Sequence, residues 1–376
     1  VISELGAELT TVVSAREGVR NVTPAGVPFV NSLYLPLDRA AWARDYGAAR
    51  AAWYVQLRQV AQLHRLPAAL LHFLNLNVML QSQMVARFDQ LLEHTCPAAI
   101  VTDYDRDTSH APLVLVARGR GIPTLTMVHG VVSPPSVGYA PLLADVALCW
   151  GQQHVDQFVA MHTAPERLQI TGCQRIDTTL NADTASARQR LNVVAEGSLF
   201  MLATNPIRVD QRQKMATAFC EAITHTDGVA GFVRLHPSEN RATYQAQIER
   251  YPQIPFTTKD DFTVDEAIGM SHAVVCHNTG LAAEALLKGR LVAIFDGLDV
   301  PLGNAANLIE RAKCPTASDA KQLRQVMERM AHDAGYQAVL WQAAQQFIAY
   351  QYAALGDAAT QRVVQVIRQV IEVDPK

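Results

Sequence analysis

Apolar residues along this chain come in two rhythms. From about residue 97 onward, short β-branched runs alternate with segments of helical period, the pattern of βαβ units and a parallel sheet. The runs ELTTVVS (8–14), AAIVTD (98–103), PTLTMVH (123–129), DVALCW (145–150), LQITG (168–172), LFMLAT (199–204), GFVRLH (231–236), AVVCH (273–277) and LVAIFD (291–296) read as strands. Residues 36–95 instead keep a helical period, broken near Pro67. A stripe through Val363, Val366, Ile367, Val370 and Ile371 predicts a closing helix.

The passage 178–198 is polar and turn-rich and separates two runs of βα units. The pattern therefore predicts an α/β protein of two Rossmann-like, doubly wound parallel-sheet lobes with a cleft between them. The first lobe is expected over 1–185 and the second over 195–345. Helices over 346–376 are expected to pack back on the first. The opening VISELGAELTTVVSA reads as the end of a helix, a turn at Gly6 and a strand, so a further strand and half a helix are expected ahead of it.

Composition narrows the function classes. A chain of 376 residues, 49% hydrophobic and 18% charged, is long enough for two cores. Every apolar run stops short of the ~20 residues needed to cross a bilayer. A net charge of −3, with no basic stretch interleaved with aromatics, leaves no footprint for nucleic acid. The six cysteines have no CxxC pairing and several sit in apolar runs, as buried free thiols do in a reducing compartment. There is no GxSxG, HExxH, Walker sequence or post-strand GxGxxG, which weighs against hydrolase, metalloprotease, P-loop and dinucleotide readings.

In open parallel sheets, ligands sit beyond the carboxyl ends of the strands, and here those ends are polar. They read DYDRDTSH after residue 102, His129-Gly130, GCQRID with Arg175, NPIRVD, His236-Pro237, His277-Asn278-Thr279-Gly280 and Asp296-Gly297. In CHNTGLAAEALLKGR, Asn278-Thr279-Gly280 opens a helix whose end is marked by Gly289. Its free amides and the Thr279 hydroxyl suit a phosphate; simple capping by Asn278 or Thr279 is the equal alternative. Glu284, one turn in, is either an acceptor for sugar hydroxyls or a solvated charge.

His236 is either a strand-end packing residue or a phosphate ligand beside that helix start. Asp210 admits two readings as well. With Gln213 three residues on, it forms a capping box; with Arg208 beside it and facing the cleft, it is a nucleophile or base. Asp103 and Asp105 invite a metal, but no further ligand cluster completes a site, and Thr108 or Ser109 is expected to cap the next helix. His129 serves as acid, base or acceptor ligand, or simply ends a strand before a glycine turn.

Taken in order, RGRGIPTLTMVHG, DVALCWGQQHVDQF and LQITGCQRID resemble GT-B glycosyltransferases of bacterial surface polysaccharide assembly, over about residues 97–300. They are shared with glycerophosphotransferases and sugar epimerases. RLHP paired with NTG resembles the His-Pro and Ser/Thr motifs of sialyl- and Kdo-transferases, which hold a CMP-activated sugar. The resemblance implies that His236, Pro237, Asn278, Thr279 and Gly280, with Glu284, Arg208 and Arg175, bind CMP-Kdo. It implies Asp210 as the nucleophile of a retaining β-Kdo transferase, with His129 and Asp103 on the acceptor side. Thr279 stands where many relatives have serine.

The implied reaction moves Kdo to a glycan or glycolipid acceptor in lipopolysaccharide O-antigen or capsule synthesis. No metal or other cofactor is implied, since the CMP-sugar is a substrate. The implied setting is the cytoplasm at the inner face of the inner membrane, with peripheral membrane or assembly-complex association, in a chain that is one module of a larger one. CDP-glycerol glycerophosphotransferase, inverting sialyltransferase with Asp103 or Asp105 as base, UDP-sugar epimerase and a non-enzymatic binding protein are the rival readings.

Overall fold

The computed structural model describes residues 1–6, 10–14, 17–64, 67–130, 139–176, 183–192, 197–303 and 305–373. Twelve strands are present among them: β1 (Val12–Ser14), β2 (Phe29–Asn31), β3 (Ile100–Thr102), β4 (Thr124–Met127), β5 (Val146–Cys149), β6 (Leu168–Ile170), β7 (Ser198–Ala203), β8 (Val229–Arg234), β9 (Phe256–Thr257), β10 (Ala273–Cys276), β11 (Leu291–Phe295) and β12 (Thr316–Ala317). Each of the nine runs overlaps a strand: β7 and β8 begin one and two residues ahead of theirs, and the other seven strands lie within the run that predicted them. Three short strands, β2, β9 and β12, escape the pattern.

β3 to β6 form a parallel sheet in simple chain order. The second lobe is a six-stranded parallel sheet ordered β12-β11-β10-β7-β8-β9. Counted within that lobe, the order is 6-5-4-1-2-3, the dinucleotide-fold arrangement, and it reverses between β7 and β10. β1 pairs only with β2, in a sheet of its own.

The second sheet is covered on both faces, which explains its nearly unbroken apolar strands. Along β7 the side chains alternate between two cores: Phe200 and Leu202 join Phe219, Val275 and Phe295, while Leu199, Met201 and Ala203 join Phe232, Val274 and Ile294. Helices Arg39–His64 and Ala68–Thr95 flank Pro67, as the period required. The closing helix Gly356–Val373 returns to the first sheet, where Val363 and Ile367 pack on Leu125 and Leu148.

The passage 178–198 is not turn throughout. Asp183 accepts the Ser186 N–H at 3.0 Å and starts the helix Thr184–Leu191. Ala187 and Leu191 of that helix enter the core of the second sheet.

The lobes meet in a seam. Ala353 donates its N–H to the Trp150 carbonyl (2.9 Å), Cys173 to Ala354 (2.9 Å) and Gly356 to Cys173 (3.0 Å). Trp150, Cys173, Ile176 and Tyr352 pack there with Leu287 at the end of a second-lobe helix. Among the described residues, no helix is long and apolar enough to cross a membrane.

Candidate functional site

The reversal between β7 and β10 opens a crevice at their carboxyl ends. β7 runs into Thr204-Asn205 and β10 into His277-Asn278. The Asn205 side chain ties the two together: its Oδ1 accepts the Asn278 N–H at 3.4 Å, and its amide donates to the Asn278 carbonyl. That tie fixes the approach to Thr279-Gly280 and the helix Leu281–Leu287. Gly303, at φ +51°, lies so close to Asn278 that a Cβ there would meet its Nδ2 at 2.4 Å. Gly280 holds the cap position of that helix, so neither Asn278 nor Thr279 is its cap; Thr279 Oγ1 accepts the Leu281 N–H at 3.3 Å in a turn ahead of it and keeps a proton to donate outward.

His236 lies two residues beyond the end of β8, not at the strand tip. Its backbone N–H is shared between Thr204 Oγ1 (3.0 Å) and Glu239 Oε2 (3.2 Å). Its ring Nδ1 accepts the Ser238 N–H at 3.2 Å and lies 2.8 Å from the Ser238 hydroxyl. With Nδ1 committed as acceptor, the proton resides on Nε2, and the half-buried ring offers one donor. Pro237 follows, exposed.

Glu239 anchors this corner. Its side chain has no exposed surface. It accepts from the His236 N–H, Arg212 Nη1 (3.1 Å), the Tyr244 hydroxyl (3.2 Å) and the Thr204 hydroxyl. Burial, with the Glu239 charge beside it, pushes the Tyr244 hydroxyl well above its ordinary pKa. Sequence reasoning missed Glu239, Thr204 and Asn205. The signal was a polar pair directly after an apolar strand, and a carboxylate three residues after a histidine.

Other expected residues are placed differently. Asp210 is not an N-cap: it sits in the first turn of Val209–Thr224, where Arg208 occupies the cap position without a capping side chain. Gln213 reaches the Thr243 carbonyl (2.5 Å), so no capping box forms. Arg208 grips Asp210 through Nη2 (2.7 Å) and Nε (3.2 Å), and Gln211 donates a third hydrogen bond (2.8 Å). These partners hold its exposed carboxyl well below the usual carboxylate range. Glu284 Oε1 pairs with Lys288 (2.8 Å), which also binds Asp265, so one Glu284 oxygen is committed within its own lobe.

The first lobe presents an aromatic rim. His129 lies two residues past β4, with Nδ1 3.2 Å from the Asp103 carbonyl and 3.4 Å from the Tyr139 hydroxyl. Tyr104 meets it edge-on at 4.9 Å between ring centres, and Tyr139 lies at 5.6 Å. Burial, reinforced by neighbouring Tyr104, pushes the Tyr139 hydroxyl up to about 12, so it is a proton donor at neutral pH. The Arg175 guanidinium sits 5.4 Å from the centre of the Trp150 ring, in the seam. Burial, with Cys173 and Glu284 adding to it, holds the Tyr352 hydroxyl there well above its ordinary pKa.

The DYD aspartates diverge. Asp105 is buried and accepts the N–H groups of Leu143 (2.6 Å) and Ala144 (2.8 Å). The exposed Asp103 carboxylate lies 3.6 Å from His110 Nδ1. Ser109 holds the cap position of the next helix without a capping side chain, and Asp107 supplies the hydrogen bonds instead, accepting from the N–H groups of Ser109 (2.8 Å) and His110 (2.6 Å). Among the described residues, no group of three or more His, Cys, Asp or Glu is placed to hold a metal ion.

No family profile and no curated protein matches the chain. Solved structures do. One is UDP-GlcNAc 2-epimerase from Neisseria meningitidis bound to UDP-GlcNAc, at 12% identity over 77% of this chain and 81% of that one, with a TM-score of 0.54. A second is MnaA of S. aureus with UDP, at 13% identity over 80% and 83%, with a TM-score of 0.57. A third is a glycosyltransferase of Rickettsia africae, at 9% identity over 77% and 81%, with a TM-score of 0.54. At these identities what is shared is the fold, two Rossmann-like lobes of the GT-B kind.

Proposed function

We propose that this chain is an enzyme acting on a nucleotide-activated sugar, held by the second lobe where the strand order reverses, and that its reaction is epimerisation of a UDP-sugar. The reading rests chiefly on the β7/β10 crevice, with Asn205 tied to Asn278 and His236 offering a donor from the next strand. Fold likeness to proteins solved with UDP or UDP-GlcNAc favours the uridine nucleotide over the CMP-sugar implied by the RLHP and NTG segments.

In this reading, His236 Nε2–H and the Thr279 hydroxyl donate to phosphate oxygens. Gly280 lets the backbone come close, and the uncommitted oxygen of Glu284 accepts from a sugar hydroxyl. Charge developing on the phosphates is met by donors already fixed in place, which is the efficient form of electrostatic stabilisation. Epimerisation then removes a proton from the sugar carbon next to the anomeric one, the electron pair left there expels the nucleotide phosphate, and the nucleotide adds back as the proton returns to the opposite face. His129, with Asp103, is the candidate base, and Tyr139, protonated at neutral pH, is the candidate acid.

The second reading is glycosyl transfer, CMP-Kdo transfer included, favoured by the His-Pro and Thr pairing and by the fold likeness to the Rickettsia glycosyltransferase. Asp210 would then be the nucleophile, and its triple hydrogen bonding works against it: a carboxylate gripped by Arg208 and Gln211 is less basic and less free to attack. Asp210→Asn is therefore expected to keep turnover within about threefold, the scale on which losing one exposed ion pair acts.

Incubation with UDP-GlcNAc in deuterium oxide, without any acceptor, separates the two readings. Epimerisation predicts deuterium on a sugar carbon and a second sugar epimer. An unchanged UDP-sugar, together with sugar transfer from CMP-Kdo once a glycan acceptor is added, would overturn the epimerase reading.

A further inference from the structure

The first half of the helix Ala68–Thr95 stands clear of the core. Its buried residues are Phe88 and Leu92, both in its last two turns, where they meet Leu113 and Ala117. Ahead of Phe88, none of its described side chains is buried, yet the sequence there is strongly apolar. Leu70, Phe73, Leu76 and Leu80 are all exposed, Phe73 to 59% and Leu80 to 53%. At 100° per residue, these four fall within one third of the helix circumference, a single apolar face turned to solvent.

Charge singles out the same hairpin. Residues 39–80 carry five arginines against one acidic residue, Asp45, in a chain whose net charge is −3. Arg39, Arg44 and Arg50 of the first helix are exposed. Arg50 lies along the Tyr54 ring, 5.3 Å from its centre. At the other end of the apolar face, Arg87 donates to the Leu33 carbonyl (3.3 Å), and Leu33 and Tyr34 are exposed beside it.

We infer that this hairpin docks the first lobe on an anionic lipid surface, with the Leu70, Phe73, Leu76 and Leu80 face entering the headgroup boundary and the arginines meeting lipid phosphates. An exposed apolar stripe combined with local positive charge is what interfacial binding requires, and each part strengthens the other. A second copy of this chain would bring the exposed Arg39, Arg44 and Arg50 against their own counterparts, so charge complementarity selects the anionic surface. The hairpin is remote in sequence from the nucleotide crevice, so this inference stands whichever sugar-nucleotide reaction is catalysed. Docking would hold the rim of the first lobe near a membrane-bound partner.

Co-sedimentation of the purified chain with vesicles of phosphatidylcholine alone, or with about 30% phosphatidylglycerol, tests it. Binding is expected to the anionic vesicles only, to fall with added salt, and to drop about tenfold or more in the double variant Phe73→Glu/Leu80→Glu. Those side chains are exposed, so the variant is expected to unfold at the wild-type temperature and to bind UDP as the wild type does. Equal binding of wild type and variant to anionic vesicles, or no binding by the wild type, would overturn the inference. So would a dimer in sedimentation velocity that the variant breaks without any vesicle binding, which would assign the face to a second copy.

Discussion

Glu239 is a carboxylate with no exposed side-chain surface, bound by Arg212 and three further donors. Removing one partner of such a buried pair strands the other, so Glu239→Ala is expected to cost about 3–5 kcal/mol in urea unfolding. His154 makes a complementary prediction. It is fully buried, accepts the Trp150 N–H at 3.2 Å through Nδ1, and burial pulls its pKa from 6.5 down to about 3. The unfolded chain then binds a proton that the folded one refuses. Stability from this site is complete above pH 6.5 and is lost as the pH falls from there toward 3, by at most about 1.4 kcal/mol per pH unit. Urea midpoints from pH 7 to 5 should therefore fall, and less steeply in His154→Phe. The place of His236 just beyond a strand was legible in sequence, because the apolar run stops there at a histidine and a proline. The capping-box alternative for Asp210 fails although its spacing to Gln213 matches one, because the competing grip of Arg208 depends on side-chain geometry that spacing does not encode.

Elements were legible in proportion to their length. Strands such as β7 and β8, with six residues each, announce themselves. β9 and β12, with two residues each, exist only because a longer neighbour offers an edge to pair with. The Thr184–Leu191 helix reads as a linker because its exposed face is rich in arginine, while Ala187 and Leu191 alone mark its buried side. The seam between the lobes was not legible, since it joins residues about 180 apart in sequence. Its sharpest local demand is at Gly172, where φ is +99° and a Cβ would stand 2.4 Å from the Ala354 carbonyl oxygen. Gly172→Ala is expected to cost about 2–4 kcal/mol, from strained backbone and a clash that must push the seam apart, read as a lowered melting temperature.

At the scale of the whole molecule, the alternation of strand and helix gave the class, and the strand order gave the site. The order β12-β11-β10-β7-β8-β9 comes from tertiary pairing and is invisible in the pattern of any one segment. Only that order puts Asn205 beside Asn278 and makes the β7/β10 boundary a crevice. Isothermal calorimetry with UDP tests directly whether this crevice binds a nucleotide through His236. UDP is expected to bind the wild type, and His236→Ala to bind it about tenfold or more weakly, the loss of one hydrogen bond to a charged oxygen. Undetectable binding to the wild type, or an affinity that His236→Ala leaves unchanged, would contradict it.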